Sequence, residues 1–216
     1  MTAAERRAVA AWQAQSLLLG YPDEHLLARL ELLHRVVAAL DEPVGAPLRR
    51  FLMHGEGTSP PDLAADYVAT FDHRKRCCLY LTYYAHGDTR RRGMALLRLK
   101  QTYAAAGLRL VDDELPDHLA VVLEYAAANP QAGAALLIEH RAGLELLRLA
   151  LHDAGSPWAH VLDSVSATLP PLRGEQREAV ARLAAEGPPE EQVGLTPYPT
   201  PFAPPEYMPV PQGDRR

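Results

Sequence analysis

Apolar residues recur along this chain with the spacing of one face of an α-helix. Leucine and valine alternate at four- and three-residue intervals from Leu26 to Leu40, and the same spacing runs from Trp158 to Leu169. A strand would instead alternate apolar and polar residues every second position. The pattern therefore predicts an all-α protein, a single-domain helical bundle.

Proline and glycine interrupt this pattern and set the predicted boundaries. The predicted helices cover residues 4–19, 23–40, 44–54, 60–72, 76–86, 89–106, 116–128, 131–153, 157–168 and 174–186. Pro116 is expected in a first helical turn, where the N–H that proline lacks would have no partner anyway. Segment 76–86 has a strand-like composition, but a single strand has no neighbour to pair with, so a helix is predicted there.

The chain divides into residues 1–186, predicted as one helical domain, and a proline-rich tail, 187–216. A segment of this composition cannot propagate a helix and buries little, so we expect it to be disordered and dispensable for folding. Phe202 and Tyr207 are apolar islands within it. They could serve as a docking peptide, although a loose tail is favoured.

Charge and cysteine content limit the possible functions and locations of the protein. The formal net charge of -5 argues against a general nucleic-acid binder, which needs a basic surplus. The two cysteines, Cys77 and Cys78, are adjacent and cannot easily form a disulfide, which favours a reducing cytoplasmic location. No apolar run is long enough to predict a membrane span, and Arg6-Arg7 is interpreted as part of an ordinary first helix and not as an export signal.

Catalytic and metal-binding signatures are weak. The nine histidines lack the clustered spacing of zinc ligands, and neither a nucleophile motif nor a phosphate-binding glycine loop is present. We therefore predict no enzyme activity and no resident cofactor or metal. A metal-dependent hydrolase using Asp88, Asp117 and His118 is the alternative from another class of protein, and a helical scaffold without a client is a further one.

Two clusters suggest an interaction protein. Arg90-Arg91-Arg92 starts a predicted helix, where the helix dipole disfavours positive charge, so an internal acidic partner such as Asp112-Asp113-Glu114 is expected. Aromatic residues such as Tyr67 and Phe71, together with acidic neighbours such as Glu124, could line a groove for a basic amphipathic helix. From the spacing alone, core packing is the favoured explanation of these aromatic residues.

Several motifs together resemble the NarJ family of nitrate reductase assembly chaperones, within the wider superfamily that includes TorD and DmsD. They are LLGYPD at 18–23, YVATFD at 67–72, HGDTRRRG at 86–93, ELPDHL at 114–119 and LEY at 123–125. The resemblance covers about the first 130 residues, and ELPDHL is its most specific part. The Cys77-Cys78 pair departs from the family pattern.

This resemblance implies a system-specific chaperone that binds the basic N-terminal segment of the apo catalytic subunit of respiratory nitrate reductase. It would support molybdenum cofactor insertion before membrane docking, with no nucleic-acid partner and no stable membrane association. A transient contact with the molybdenum cofactor machinery is a further interaction that such a chaperone could make. A chaperone for another molybdoenzyme is the alternative within the superfamily. The implied peptide-binding residues are Tyr67, Phe71, Tyr80, Tyr83, Pro116, Asp117, His118, Leu119 and Glu124, and the implied motif residues are Asp88, Arg90, Arg92 and Gly93.

Overall fold

The computed structural model describes residues 1–110 and 114–187. The predicted tail therefore lies outside the described residues, apart from Gly187. Within the described ranges the chain forms twelve α-helices and one 3₁₀ turn, Lys75–Cys77. The helices are α1 (Ala3–Leu19), α2 (Glu24–Leu27), α3 (Leu30–Ala38), α4 (Glu42–Glu56), α5 (Pro60–Phe71), α6 (Leu81–His86), α7 (Arg90–Ala105), α8 (Leu119–Ala128), α9 (Pro130–Glu139), α10 (Arg141–Asp153), α11 (Ala159–Ala167) and α12 (Gly174–Glu186).

Local sequence signals explain several helix starts. Thr2 and Glu5 form a reciprocal capping box at α1, and the Asp23 side chain accepts a hydrogen bond from the Leu26 N–H at α2. The Ser59 side chain caps α5, whose first residue is Pro60. These signals satisfy N–H groups that would otherwise lack a partner in the first turn.

The core lies where α1 packs along α8 and against α11, and α4 packs against α11 as well. Trp158 is buried at its centre and donates its indole N–H to the Leu18 carbonyl oxygen over 3.1 Å. A buried polar link crosses the same region, since the Gln15 side chain donates to the Ser164 hydroxyl, which donates to the Val44 carbonyl oxygen. Each hydrogen bond keeps a buried polar group satisfied while the helices pack closely.

The all-α prediction is correct for the described residues, but four predicted helices differ from the structure, three by a break and one by a later start. Segment 23–40 divides between α2 and α3, and segment 131–153 divides at His140 between α9 and α10. Both halves keep the same apolar period, so the pattern alone does not reveal the break. Residues 116–118 precede α8, which begins at Leu119.

The fourth difference concerns segment 76–86. It contains the 3₁₀ turn and then extended backbone that leads into α6. Tyr80 makes an isolated antiparallel bridge with His118, so the strand-like composition does find a pairing partner. That partner is 38 positions away in the chain, which sequence reasoning did not provide.

Candidate functional site

The Tyr80–His118 bridge fixes the segment that carries the most specific motif. The Leu81 N–H donates to the Asp117 carbonyl oxygen over 3.0 Å, and the Leu119 N–H donates to the Leu79 carbonyl oxygen over 2.9 Å. The Tyr80 and His118 rings also meet edge to face, with their centroids 5.4 Å apart. The start of α8 is therefore tied to the start of α6 by main chain and side chain together.

Asp117, one of the implied peptide-binding residues, is fully buried, with 0% exposure. Its Oδ2 accepts hydrogen bonds from the Thr82 N–H, over 3.2 Å, and from the Thr82 hydroxyl. Arg92 Nη2 lies 3.6 Å from the same oxygen. The carboxylate thus accepts hydrogen bonds from the first turn of α6, where N–H groups without a partner in the helix attract an anion. It does not face solvent, and it is already held by Thr82 and Arg92, which is a poor starting point for metal coordination.

Within the run Arg90-Arg91-Arg92, Arg92 is the residue that pairs with acidic side chains of the same chain. Its guanidinium also pairs with Asp88 at 3.1 Å, donates to the Thr82 hydroxyl over 3.3 Å and lies 5.5 Å from the centre of the Tyr80 ring. The expected partners were Asp112-Asp113-Glu114. Residues 112 and 113 lie outside the described residues, and the acidic partners that the structure shows for Arg92 are Asp88 and Asp117.

A groove opens beside this anchored segment, and we call it the acidic groove. Its volume is about 570 Å³. It is lined by Ser16, Gly20, Tyr21, Tyr67, Tyr103, Leu108, Arg109, Leu110, Glu114, His118, Ala120, Val121, Glu124, Tyr125 and Ala128. The lining comes from the end of α1, from α5, from the end of α7 and from one face of α8, so residues distant in the chain meet here.

An aromatic wall forms one side of the acidic groove. The Tyr67 ring contacts Tyr21 at 5.5 Å and Phe71 at 4.8 Å, measured between centroids, and packs on the buried Trp158 at 5.5 Å. Its hydroxyl donates to the Leu19 carbonyl oxygen over 3.1 Å, and burial raises the pKa of Tyr67 well above its usual value. Tyr67 therefore presents a fixed, neutral ring, whereas Tyr21 is 53% exposed and free to meet a ligand.

Charge in the acidic groove is mainly negative. The exposed carboxylates of Glu114 and Glu124 line it, and Arg109 is the basic lining residue. Burial lowers the pKa of His118, although Glu114 and Asp117 act in the opposite direction. His118 is therefore mostly neutral near pH 7, and one ring nitrogen can still donate a hydrogen bond.

The nine predicted peptide-binding residues are divided by the structure. Tyr67, His118 and Glu124 line the acidic groove. Phe71 contacts Tyr67, and Tyr80 contacts His118. Pro116, Asp117 and Leu119 are buried. The remaining residue, Tyr83, lines a different hollow with Arg74 and Leu149.

The peptide-binding residues implied by the resemblance did not include Tyr21, Glu114, Tyr103 or Tyr125, which all line the acidic groove. The Tyr103 and Tyr125 rings pack at a tilt with their centroids 4.6 Å apart, and the Tyr103 hydroxyl donates to the Pro116 carbonyl oxygen over 2.7 Å. The signal was present, since Tyr21 and Glu114 both stand in the motifs that carry the family resemblance. The motif residues Arg90 and Gly93 lie on the outer surface of α7 and take no part in the groove.

Comparison with known proteins settles the family. The sequence model of the family described as nitrate reductase delta subunit matches residues 37–163, which include α4 to α10 and most of the groove-lining residues. The chain belongs to the nitrate reductase delta subunit family. The resemblance to the NarJ chaperones expected from the motifs is confirmed.

Individual relatives agree with this assignment. The chain is 40% identical over 158 residues to the nitrate reductase-like protein NarX of Mycobacterium tuberculosis, which covers 73% of this chain and 24% of NarX. It is 35% identical over 152 residues to the nitrate reductase molybdenum cofactor assembly chaperone NarJ of Escherichia coli, which covers 68% of this chain and 64% of NarJ. The chain therefore spans about a quarter of the length of NarX and about two thirds of that of NarJ.

The fold has a counterpart among solved structures. A proposed redox enzyme maturation protein from Archaeoglobus fulgidus superposes with a TM-score of 0.54 and 21% identity, over 81% of this chain and 93% of that one. This likeness confirms the all-α architecture. Among the helices that the structure describes, none is long and apolar enough to cross a membrane.

Proposed function

We propose that this chain is a cytoplasmic, non-enzymatic assembly chaperone for a respiratory nitrate reductase. In this proposal the acidic groove binds the basic N-terminal segment of the apo catalytic subunit while the molybdenum cofactor is inserted. The groove carries the proposal, because it combines a rigid tyrosine wall with two exposed carboxylates, Glu114 and Glu124. The name of the E. coli relative, a nitrate reductase cofactor assembly chaperone, supports the choice of client.

The chemistry of the groove suits an amphipathic helix with a basic edge. Apolar side chains of the helix would pack on Tyr21, Tyr67 and Val121, and its lysines or arginines would meet Glu114 and Glu124. A volume of about 570 Å³ accommodates a few anchoring side chains and not a whole domain. Helical peptides commonly bind in this manner, through anchors spaced along one face.

In this arrangement Asp117 acts through its neighbours. It fixes the first turn of α6 and, through the paired main chain, the position of His118 on the groove wall. His118 can then donate a hydrogen bond to a carbonyl oxygen of the peptide. The role implied for Asp117 by the family resemblance is thereby redefined as positioning.

Calorimetric titration tests the proposal. The probe is a synthetic peptide with the sequence of the catalytic subunit's N-terminal segment, and the reference peptide has the same composition in scrambled order. We expect the native order to bind and the scrambled order to bind at least about tenfold more weakly, which corresponds to about 1.4 kcal/mol.

Variants of the carboxylates locate the binding surface. Glu114→Gln/Glu124→Gln should weaken binding about tenfold at low salt, with a smaller loss at high salt, since the pairs are exposed. Glu175→Gln/Glu178→Gln on α12 is the matched control, because it makes the same change of charge on exposed residues away from the groove. Equal weakening by both double variants would show that net charge, and not the groove, controls binding.

A further inference from the structure

Helix α7 carries a charge pattern that the acidic groove does not explain. Its 16 residues contain five basic side chains, Arg90, Arg91, Arg92, Arg98 and Lys100, and no acidic one, in a chain whose formal net charge is -5. Of these five, Arg92 pairs internally with Asp88 and Asp117. The other four are exposed and make no ion pair within residues 1–110 and 114–187.

This placement opposes the local electrostatics of the helix. Arg90 and Arg91 stand in the first turn of α7, where the helix dipole repels positive charge. The Thr89 hydroxyl does not cap the helix but donates to the His86 carbonyl oxygen over 2.8 Å. The beginning of α7 therefore carries three consecutive arginines, and in the described part of the chain neither Arg90 nor Arg91 makes an ion pair.

The outer face of α7 also exposes large apolar side chains. Met94 is 57% and Leu97 is 47% exposed, while the buried residues of the helix are Leu99 and Tyr103. At 3.6 residues per turn, Met94 and Leu97 lie side by side on the face opposite Leu99. Met and Arg are both enriched in protein interfaces, where an apolar centre is surrounded by polar residues.

The charges surround this apolar centre. Arg90 lies one turn before Met94, and the same helical period puts Arg91 and Arg98 together on one flank and Lys100 on the other. Arginine binds carboxylates through a planar, two-pronged set of donors. A complementary surface must therefore supply apolar side chains in the middle and carboxylates along its edges.

We propose that the outer face of α7 is a second docking surface, which binds an acidic amphipathic helix of another protein. The apolar side of that helix covers Met94 and Leu97, and its glutamates or aspartates pair with Arg90, Arg91 and Arg98. The proposal goes beyond the acidic groove, because the partner has the opposite charge and the residues are different. The protein then holds a basic segment at one surface and an acidic one at another.

Protein is favoured over lipid and nucleic acid. A helix that lies in a membrane surface needs a broad apolar face, usually with aromatic residues, whereas α7 exposes Met94 and Leu97 and buries its tyrosine. Nucleic-acid binding relies on many phosphate contacts from a basic surplus, and the chain as a whole is acidic. An acidic helix matches both the charge and the apolar centre.

The experiment uses the full chain and a synthetic amphipathic helix with leucines on one face and glutamates on both flanks. A second peptide with glutamine in place of glutamate is the reference. Binding is followed by fluorescence anisotropy at low and at high salt. We expect the acidic peptide to bind in a salt-dependent manner and at least about tenfold more tightly than the glutamine peptide.

Variants assign the binding to α7. Arg90→Gln/Arg91→Gln/Arg98→Gln should lower the affinity at least about tenfold, whereas the exposed control Arg50→Gln/Arg177→Gln/Arg182→Gln, with the same change of charge, should lower it less than about threefold. Met94→Gln/Leu97→Gln should weaken the binding that remains at high salt. Glutamine is a good helix former, so circular dichroism should show that α7 is retained.

The proposal would be overturned if the two triple variants lost the same affinity, or if the acidic peptide bound no more tightly than the glutamine peptide. It would also be overturned if the protein bound phosphatidylglycerol vesicles or a DNA duplex more tightly than the acidic peptide and this binding depended on Arg90, Arg91 and Arg98. Self-association that the same variants abolish would overturn it as well. The triple variant should still bind the basic N-terminal peptide in the acidic groove. If the wild-type protein did not bind the basic N-terminal peptide, that result would count against the proposed function and not against the docking surface on α7. The two tests are therefore separate.

Discussion

The Thr82 N–H donates to the buried carboxylate of Asp117 over 3.2 Å, and this contact joins the first turn of α6 to the segment that precedes α8. The Thr82 hydroxyl reinforces the contact, and Arg92 lies 3.6 Å from the same carboxylate oxygen. One acidic side chain thereby organises three parts of the chain around the wall of the acidic groove.

Removal of this carboxylate should destabilise the protein. Asp117→Ala is expected to lower the free energy of unfolding by about 3 kcal/mol, because it leaves the buried N–H and hydroxyl of Thr82 without their acceptor and removes one of the two carboxylates that Arg92 contacts. Urea denaturation followed by circular dichroism measures the change.

A matched control for this prediction is Asp88→Asn. It removes the exposed partner of Arg92 and should cost less than about 1 kcal/mol. Similar losses in both variants would mean that Arg92, and not the buried carboxylate, dominates the stability of this region.

Tyr21 should contribute to peptide binding and little to folding. Its ring is 53% exposed at the groove and meets Tyr67 edge to face. Tyr21→Ala is expected to weaken binding of the client's N-terminal peptide by about 1 kcal/mol, since it removes an aromatic contact surface, and to leave the melting temperature almost unchanged. Calorimetry and thermal melting measure the two effects, and Met53→Ala, which truncates an exposed side chain elsewhere, should affect neither.

Stability should fall as the pH drops below about 6.5, the ordinary histidine value. Burial lowers the pKa values of His118 and His140 in the folded protein, so the unfolded chain binds protons more readily in this range. The contribution of both histidines to the free energy of unfolding is complete above their pKa in the unfolded chain. It is lost as the pH falls towards their pKa in the folded protein. Denaturation curves recorded between neutral and mildly acidic pH measure the slope.

Substitution tests which histidines cause this slope. His118→Gln and His140→Gln should each reduce it. A slope that neither buried substitution alters would assign the acid sensitivity to other groups.

Gly133 should be intolerant of any side chain. A Cβ atom at this position would lie 2.1 Å from the Ala126 Cα, because α9 packs directly on the backbone of α8. We expect Gly133→Ala to cost about 2 kcal/mol or more, the range for overpacking a close contact. In contrast, Gly93→Ala on the open face of α7 should stabilise by about 0.5–1 kcal/mol, since nothing lies within 4 Å and alanine favours a helix. Thermal melting of the two variants compares them directly.

The helical nature of this chain and its family could be derived from the sequence, because both depend on local information. Apolar period, caps and prolines act within a few residues, and the motif ELPDHL is itself a short string. The breaks at Ala28–Arg29 and at His140 escaped this reasoning, since the apolar period continues across them.

Contacts between distant segments decided the rest. Sequence alone could place Asp117 next to His118, but not under the first turn of α6, which depends on pairing between Tyr80 and His118. Burial also decides what Asp117 contacts, because its Oδ2 accepts hydrogen bonds from Thr82 inside the protein and the residue does not face solvent. The same packing brought Tyr21, Tyr67 and Glu124 to one groove and left the arginines of α7 outside it, since which faces of the helices meet is settled only when they pack together.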